Sequence, residues 1–371
     1  MLRRRLTLPA SNIDAVTNSE ILPQAGAIAR SAAGIAGAPD IATLAACAAE
    51  VRGLAVALHH EDAGPALVTR VLSRLNDAIG ERILSLLAAR FRLPPTRWCW
   101  LGLGSEGRLE QTLTTDQDNG LVFSASDDGE ARQLRELFLP FARAVNQGLG
   151  ECGFPLCDGE VMAGNPRWCL SLSEWVESFS AWVRTPEPEA LLNSAIFFDF
   201  RSLAGDAGLA EDLRRSLSAL TRGNEIFLRM MTVNALAASP PLGRLRDFAI
   251  EAESGGAIDL KKFGSRIFVD AARILALGAG IAETGTAPRL RRVAAEGAMT
   301  PADADAAVSA FHAVQGIRLA VQAGGDRDGQ VPGNLIDPER LNEFDRRVLL
   351  AALRQARTLQ QSLKNRFHID T

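Results

Sequence analysis

Two short blocks carry residues whose types and spacing suit work on phosphate esters. Gly104-Ser105 closes the bulky run Trp98-Cys99-Trp100-Leu101-Gly102-Leu103, and Asp116-Gln117-Asp118 comes just before a second run, Leu121-Val122-Phe123. A glycine and a serine at the end of a buried strand allow close backbone approach. A helix opening there turns free N–H groups and a hydroxyl toward an oxyanion. Two aspartates spaced two apart at a strand edge project to one face. Such a pair can hold one or two Mg²⁺ ions, or Mn²⁺, which would neutralise a triphosphate and activate an attacking hydroxyl. Gln117 and Asn119 are expected to either side of the pair. A lone Asp-x-Asp is common in solvated loops, and Gly-Ser more so. Their order, with Asp116 eleven residues after Ser105 and apolar runs on both flanks, gives the combination its meaning.

The elements that must position these blocks can be read from periodicity. Residues 98–103 suit a buried strand, a helical turn follows over 106–111, and 118–123 reads as a second strand. A helix is expected over 131–149, with Leu134, Leu137, Phe138, Phe141 and Val145 on one side. The stretch 156–163 reads as a third strand, completing a small α/β unit. Upstream, 41–90 is rich in helix formers, divided by Gly64-Pro65 and stopped by Pro94-Pro95. Residues 1–24 show no periodicity and are expected to be a loose arm. From Ser171 onward nearly everything reads as helix. Thr300-Pro301-Ala302-Asp303 is a helix start, followed by an apolar stripe of Ala307, Ala310, Phe311, Val314, Ile317 and Val321. A second stripe runs from Val348 to Phe367, and 324–333 is a glycine-rich loop between the two. The expected fold class is α+β and mainly helical, a small α/β domain with a C-terminal helical bundle. The expected division is an arm at 1–40, the α/β domain with its helical lead-in at 41–170, and the helical domain at 171–371.

Composition narrows the function classes. Apolar residues are 47% of the 371, ample for a packed core. A net charge of -4 argues against broad nucleic-acid binding, which usually needs a basic surface. Five cysteines without CxxC spacing suit neither a disulfide framework nor a zinc site, and fit a reducing cytoplasm. The basic start Met1–Arg5 has no apolar core behind it, so no signal peptide is read. No uninterrupted apolar run reaches about 20 residues, so no membrane span is expected. Association into a homodimer is left open.

The string GSEGRLEQTLTTDQDNGLVF resembles the DNA polymerase beta-type nucleotidyltransferases, in particular the branch related to bacterial protein-PII uridylyltransferase. It is most similar to members that join such a domain to a C-terminal helical substrate-binding domain. VMAGNPRW, FFDFRSLAGD, IDLKKFGSRIFVDAARILAL and IDPERL resemble parts of that second region. The resemblance implies an NTP substrate and a divalent cation. It implies Gly104 and Ser105 as β/γ-phosphate contacts, and Asp116 and Asp118 as metal ligands. Arg108 would reach a phosphate or pair with Glu110. The superfamily's additional carboxylate would come from Asp158 or Glu160. Asp199 is a third option, with a buried pairing to Arg201 or a capping role as its other reading. Lys261 and Arg266 would edge the cleft and touch nucleotide or acceptor, or belong with Asp270 and Arg273 to an ion-pair face. The implied reaction moves a nucleoside monophosphate to an acceptor hydroxyl on a regulatory protein in trans. A small-molecule acceptor and a catalytically silent nucleotide-binding module are the alternatives.

Overall fold

The structure, a computed structural model, describes residues 24–243, 248–249, 257–325 and 333–369. The expected arm therefore lies outside the described residues up to 23, and so does most of the 324–333 loop. Within 1–40, Ala25–Gly37 is a helix (α1) that buries Ile28 and Ile35 seven residues apart. Helices α2 (Ile41–His60) and α3 (Pro65–Ala88) follow, started by the Asp40 cap on the Thr43 N–H and by Pro65 at the first helical position. By length and composition α2 is apolar enough to cross a membrane. In this fold its stripe Leu44, Ala48, Val51, Ala55 and Leu58 is buried, and the helix packs on α3.

The central run is β1 (Trp98–Gly102), the one-turn helix α4 (Gly104–Gly107), β2 (Asn119–Phe123) and α5 (Asp128–Glu151). Then come β3 (Cys169–Ser171), α6 (Leu172–Arg184), α7 (Pro188–Phe197), β4 (Arg201–Gly205), α8 (Ala207–Thr221) and α9 (Glu225–Leu236). The last part holds β5 (Ile258–Asp259), a π-helical turn over Lys261–Ser265, α10 (Arg266–Ala279) and α11 (Thr286–Ala295). It ends in α12 (Pro301–Gly325), β6 (Leu335–Ile336) and α13 (Glu343–Arg366). The fold is mainly helical α+β, as expected.

The four-stranded sheet has the order β3-β2-β1-β4, with β1 antiparallel to both neighbours and β3 parallel to β2. Two expectations change here. The third strand is 169–171, not 156–163, which carries turns and a left-handed Glu160 (φ 54°) that breaks strand geometry. The fourth strand, 201–205, comes from the stretch read as helical and pairs with β1 through a bulge between Trp100 and Leu101.

Both sheet faces are buried, and strand alternation assigns them. Trp98, Trp100, Leu121 and Phe123 join the core built by α1, α2, α3 and α5. Cys99, Leu101 and Val122 join the core built by α6 to α13. The sheet is thus the middle layer between an N-terminal and a C-terminal group of helices.

Candidate active site

The antiparallel register sets Gly102 opposite Asn119, so the turn leaving β1 and the strand entering β2 meet at the same edge. The Leu103 N–H donates to the Asp118 carbonyl at 2.9 Å, tying the two sequence blocks together. Gly104 then adopts φ +54°, and a Cβ there would sit 2.9 Å from Asp118 Oδ2. Only glycine fits that position, for both conformation and space. Gly107, three residues on, packs so close that a Cβ would lie 1.9 Å from the Asp199 carbonyl oxygen.

Period-2 alternation sorts the Asp-x-Asp segment as expected for the acids, and sharpens the picture for their neighbours. Asp116 and Asp118 line a cleft of about 310 Å³ together with Gly104 and Ser105. Gln117 and Asn119 point the other way and are buried. Gln117 donates to the carbonyls of Asn146 and Phe154, and Asn119 Oδ1 accepts from Asn146 Nδ2 and the Ala163 N–H, each at 2.9 Å or less. This amide network fixes the strand edge that presents the carboxylates. Burial, followed by the repulsion of Asp116, pushes the Asp118 carboxyl up to about 6.

The later carboxylates do not arrive. Asp158 and Glu160 are exposed and neither lines the cleft, because the turn at Glu160 carries both outward. The Glu160 carbonyl is engaged by Trp168 Nε1 at 3.0 Å and Asn165 Nδ2 at 3.1 Å. From this segment the cleft receives Cys157 instead, whose thiol lies beside the Asp118 carboxylate. Ligand atoms of Asp116, Asp118 and Cys157 all lie within 4.8 Å of one another, a separation that one cation could span. No sequence signal beyond a cysteine beside an acid marked that residue. A second unforeseen residue is Glu106, whose carboxyl folds back under Gly102 and is pushed up to about 8, chiefly by burial.

Asp199 is not available as a third ligand. It is fully buried and pairs with Arg108 (2.8 Å), Arg273 (2.6 Å) and Arg289 (2.5 Å). These guanidinium groups hold its carboxyl well below the usual range despite its burial. Arg201, its expected partner, pairs with Asp77 and donates to the Glu106 carbonyl. Arg108 pairs with Glu110 at 2.9 Å as well as with Asp199, and still lines the cleft.

The opposite wall comes from the helical part. Lys261, on the π-helical turn, and Arg266, at the start of α10, both line the cleft. Single π-turns interrupt helices frequently at functional sites. Arg266 also pairs with Asp270 at 3.2 Å, and Asp270 with Arg273 at 2.6 Å, so Arg266 belongs to the ion-pair face while lining the cleft. One residue of this wall was not foreseen: Arg318, set among Val314, Ile317 and Val321 on the apolar stripe of α12.

A glycine–serine turn, two carboxylates on a strand edge and a cationic helical wall around one cleft can hold a cation and a polyphosphate together. No curated protein matches the chain. The family described as "Putative nucleotidyltransferase DUF294" matches residues 49–189, and "Putative nucleotidyltransferase substrate binding domain" matches 225–367. The first stretch contains the turn and both carboxylates, the second contains Lys261, Arg266 and Arg318, and the chain belongs to this two-part nucleotidyltransferase family.

Proposed function

We propose that the protein is a metal-dependent nucleotidyltransferase that moves a nucleoside monophosphate from UTP or ATP to a hydroxyl of a protein partner. The observation that carries this reading is the pairing of Asp116 and Asp118 across from the Gly104 turn, inside one cleft. The donor set fits a divalent cation: two carboxylates close enough to repel, one of them raised to about 6 by burial and that repulsion. Mg²⁺ or Mn²⁺ bound there would supply charge neutralisation for the triphosphate and acidify the attacking hydroxyl. The chain's own part is positional. Gly104 and Ser105 let the backbone N–H groups approach phosphate oxygens. Asp116 and Asp118 would hold the cation. Lys261 and Arg266 carry positive charge to the side from which the leaving pyrophosphate or the acceptor would be held.

The domain division at about 170 belongs to the same proposal, with the helical part closing the cleft. A resident partner in the cytoplasm, such as a regulatory protein of the PII type, is the acceptor favoured by the resemblance of the Gly104–Asn119 block. One observation favours a second reading. Cys157, not a carboxylate, occupies the third position beside the pair, as a nucleotide-binding module without transfer activity could tolerate. Pyrophosphate release separates the two. With each NTP, Mg²⁺ or Mn²⁺ and cell lysate as acceptor source, the transferase releases pyrophosphate and transfers label, and Asp118→Asn abolishes both. Metal-dependent NTP binding with no pyrophosphate from any of the four would establish the silent module.

A further inference from the structure

The buried arginines near the cleft differ in one respect. Arg108, Arg273 and Arg289 each pair with Asp199, and Arg273 also with Asp270. Arg318 is 6% exposed, yet every group it donates to is neutral. Its Nε and Nη2 reach Asn334 Oδ1 at 3.1 and 2.8 Å. Its Nη1 reaches Gln315 Oε1 at 2.5 Å and Ser265 Oγ at 3.3 Å, and Nη2 also reaches Thr112 Oγ1 at 3.5 Å. Among the described residues no carboxylate forms an ion pair with it. Hydrogen bonds to neutral groups hold the guanidinium in place, and the acids nearest to it, Asp259 and Glu110, act on it through space without forming an ion pair. Burial pulls its pKa down to about 10, the direction expected of such a cation. Taking an unpaired cation out of water is costly, and neutral acceptors repay only the hydrogen bonds.

Arg318, Gln315 and Thr112 line the same cleft as Ser105, Asp116 and Asp118. We propose that Arg318, flanked by Thr112 and Gln315, is a phosphate-type oxyanion subsite of this cleft, its charge left open for a ligand that also reaches the carboxylate pair. The inference rests on the transferase reading only in taking that ligand to be a substrate. Two sources share this chemistry: the polyphosphate tail of the nucleotide, and an anionic group carried by the acceptor.

Gln315→Glu and Asn334→Asp are isosteric tests. Each places a carboxylate on Arg318 without deleting a hydrogen bond, so a purely structural arginine would be better satisfied and ligand binding untouched. The subsite predicts the opposite for binding. Both variants should melt at or above the wild-type temperature and bind Mg²⁺-tripolyphosphate about tenfold more weakly by calorimetry, the loss expected of a charge-assisted contact. Arg318→Lys, which keeps the charge, should bind more tightly than either. Competition then identifies the source. If a saturating non-hydrolysable triphosphate analogue abolishes inorganic phosphate binding, the nucleotide tail occupies Arg318. If phosphate still binds, and only when residues 315 and 334 are neutral, the acceptor does. Tripolyphosphate and phosphate affinities in Gln315→Glu and Asn334→Asp equal to wild type would overturn the proposal, as would failure of the wild type to bind either anion. Asp118→Asn losing pyrophosphate release while these variants bind normally would leave the transferase reading standing and remove only the subsite.

Discussion

At the scale of residues, Asp118 connects stability to catalysis. Its carboxyl is raised to about 6, above the usual value near 4, so the folded protein holds that proton more tightly than the unfolded chain does. The stabilising contribution is fully present below about pH 4 and is lost as pH rises through about 6. At pH 7 the charged pair therefore strains the metal-free protein. Asp118→Asn should remove transfer activity yet raise metal-free stability by about 1–2 kcal/mol at pH 7–8. That gain should shrink toward pH 4, which urea titrations at several pH values would show. Added Mg²⁺ should stabilise wild type and leave the variant unmoved. If both proteins have the same pH profile, the Asp118 carboxyl is not raised in the folded protein. Gly104→Ala tests the turn beside them. A left-handed backbone and a Cβ 2.9 Å from Asp118 Oδ2 should together cost about 1–3 kcal/mol and displace the carboxylate. A crystal structure or melting curve of Gly104→Ala that matched wild type would contradict this. The turn and the Asp-x-Asp pair were legible in the sequence because their geometry is local: a strand end and a period of two. Cys157 and Arg318 were not, since each takes its meaning from groups brought close only by folding, Asp118 in one case and Asn334 and Thr112 in the other.

At the scale of elements, Asp199 is the joint between the two sequence halves. It sits at the α7–β4 corner and draws in Arg108 from the end of α4, Arg273 from α10 and Arg289 from α11. Around it, Thr284 Oγ1 donates to the Gly107 carbonyl at 2.7 Å and the Thr286 N–H donates to Glu110 at 2.5 Å. The segment that follows the glycine–serine turn is thereby anchored to the helical part. Asp199→Asn leaves three buried guanidinium groups facing a neutral amide and should cost about 3–5 kcal/mol in chemical denaturation, with lowered activity. Since the folded carboxyl is held below its unfolded value, its contribution is present at neutral pH and persists until pH falls well under 4. The penalty in Asp199→Asn should accordingly be constant from pH 5 to pH 8. A loss under 1 kcal/mol would mean the arginines rearrange at little cost. The sequence showed an acid between phenylalanines, but nothing in it linked residue 199 to arginines 74 and 90 positions downstream. The strand beside it was hidden for a related reason. Arg201–Gly205 is short and bulged, and it lacks the regular alternation that reveals a half-buried strand.

At the scale of the whole molecule, the absence of tyrosine means that the chain offers no phenol of its own as an acceptor. A phenol gives up its proton far more readily than a serine hydroxyl, so tyrosine is the acceptor suited to metal-assisted transfer onto protein. Purified protein incubated with labelled UTP or ATP should remain unlabelled, and a band should form only when a partner is added. An Asp118-dependent label on the protein alone would assign a Ser or Thr acceptor and refute transfer in trans. The helical content, the two long apolar stripes and the order of the first two strands were all readable from periodicity. The closing of the sheet was not, because it depends on a segment from between the two stretches matched by the family descriptions.

That last strand has a consequence for anyone who divides the gene. Residues 1–170 look separable, but a fragment ending there would leave the edge of β1 with its row of N–H and C=O groups bare, next to Trp98 and Trp100. An open, hydrophobic edge recruits other strands. The fragment should precipitate or form aggregates when expressed alone, and should stay in solution when 171–371 is supplied as a separate chain in the same cell. The two pieces would then behave as a split protein, able to report on the proximity of whatever they are fused to, with pyrophosphate release restored only on reassembly.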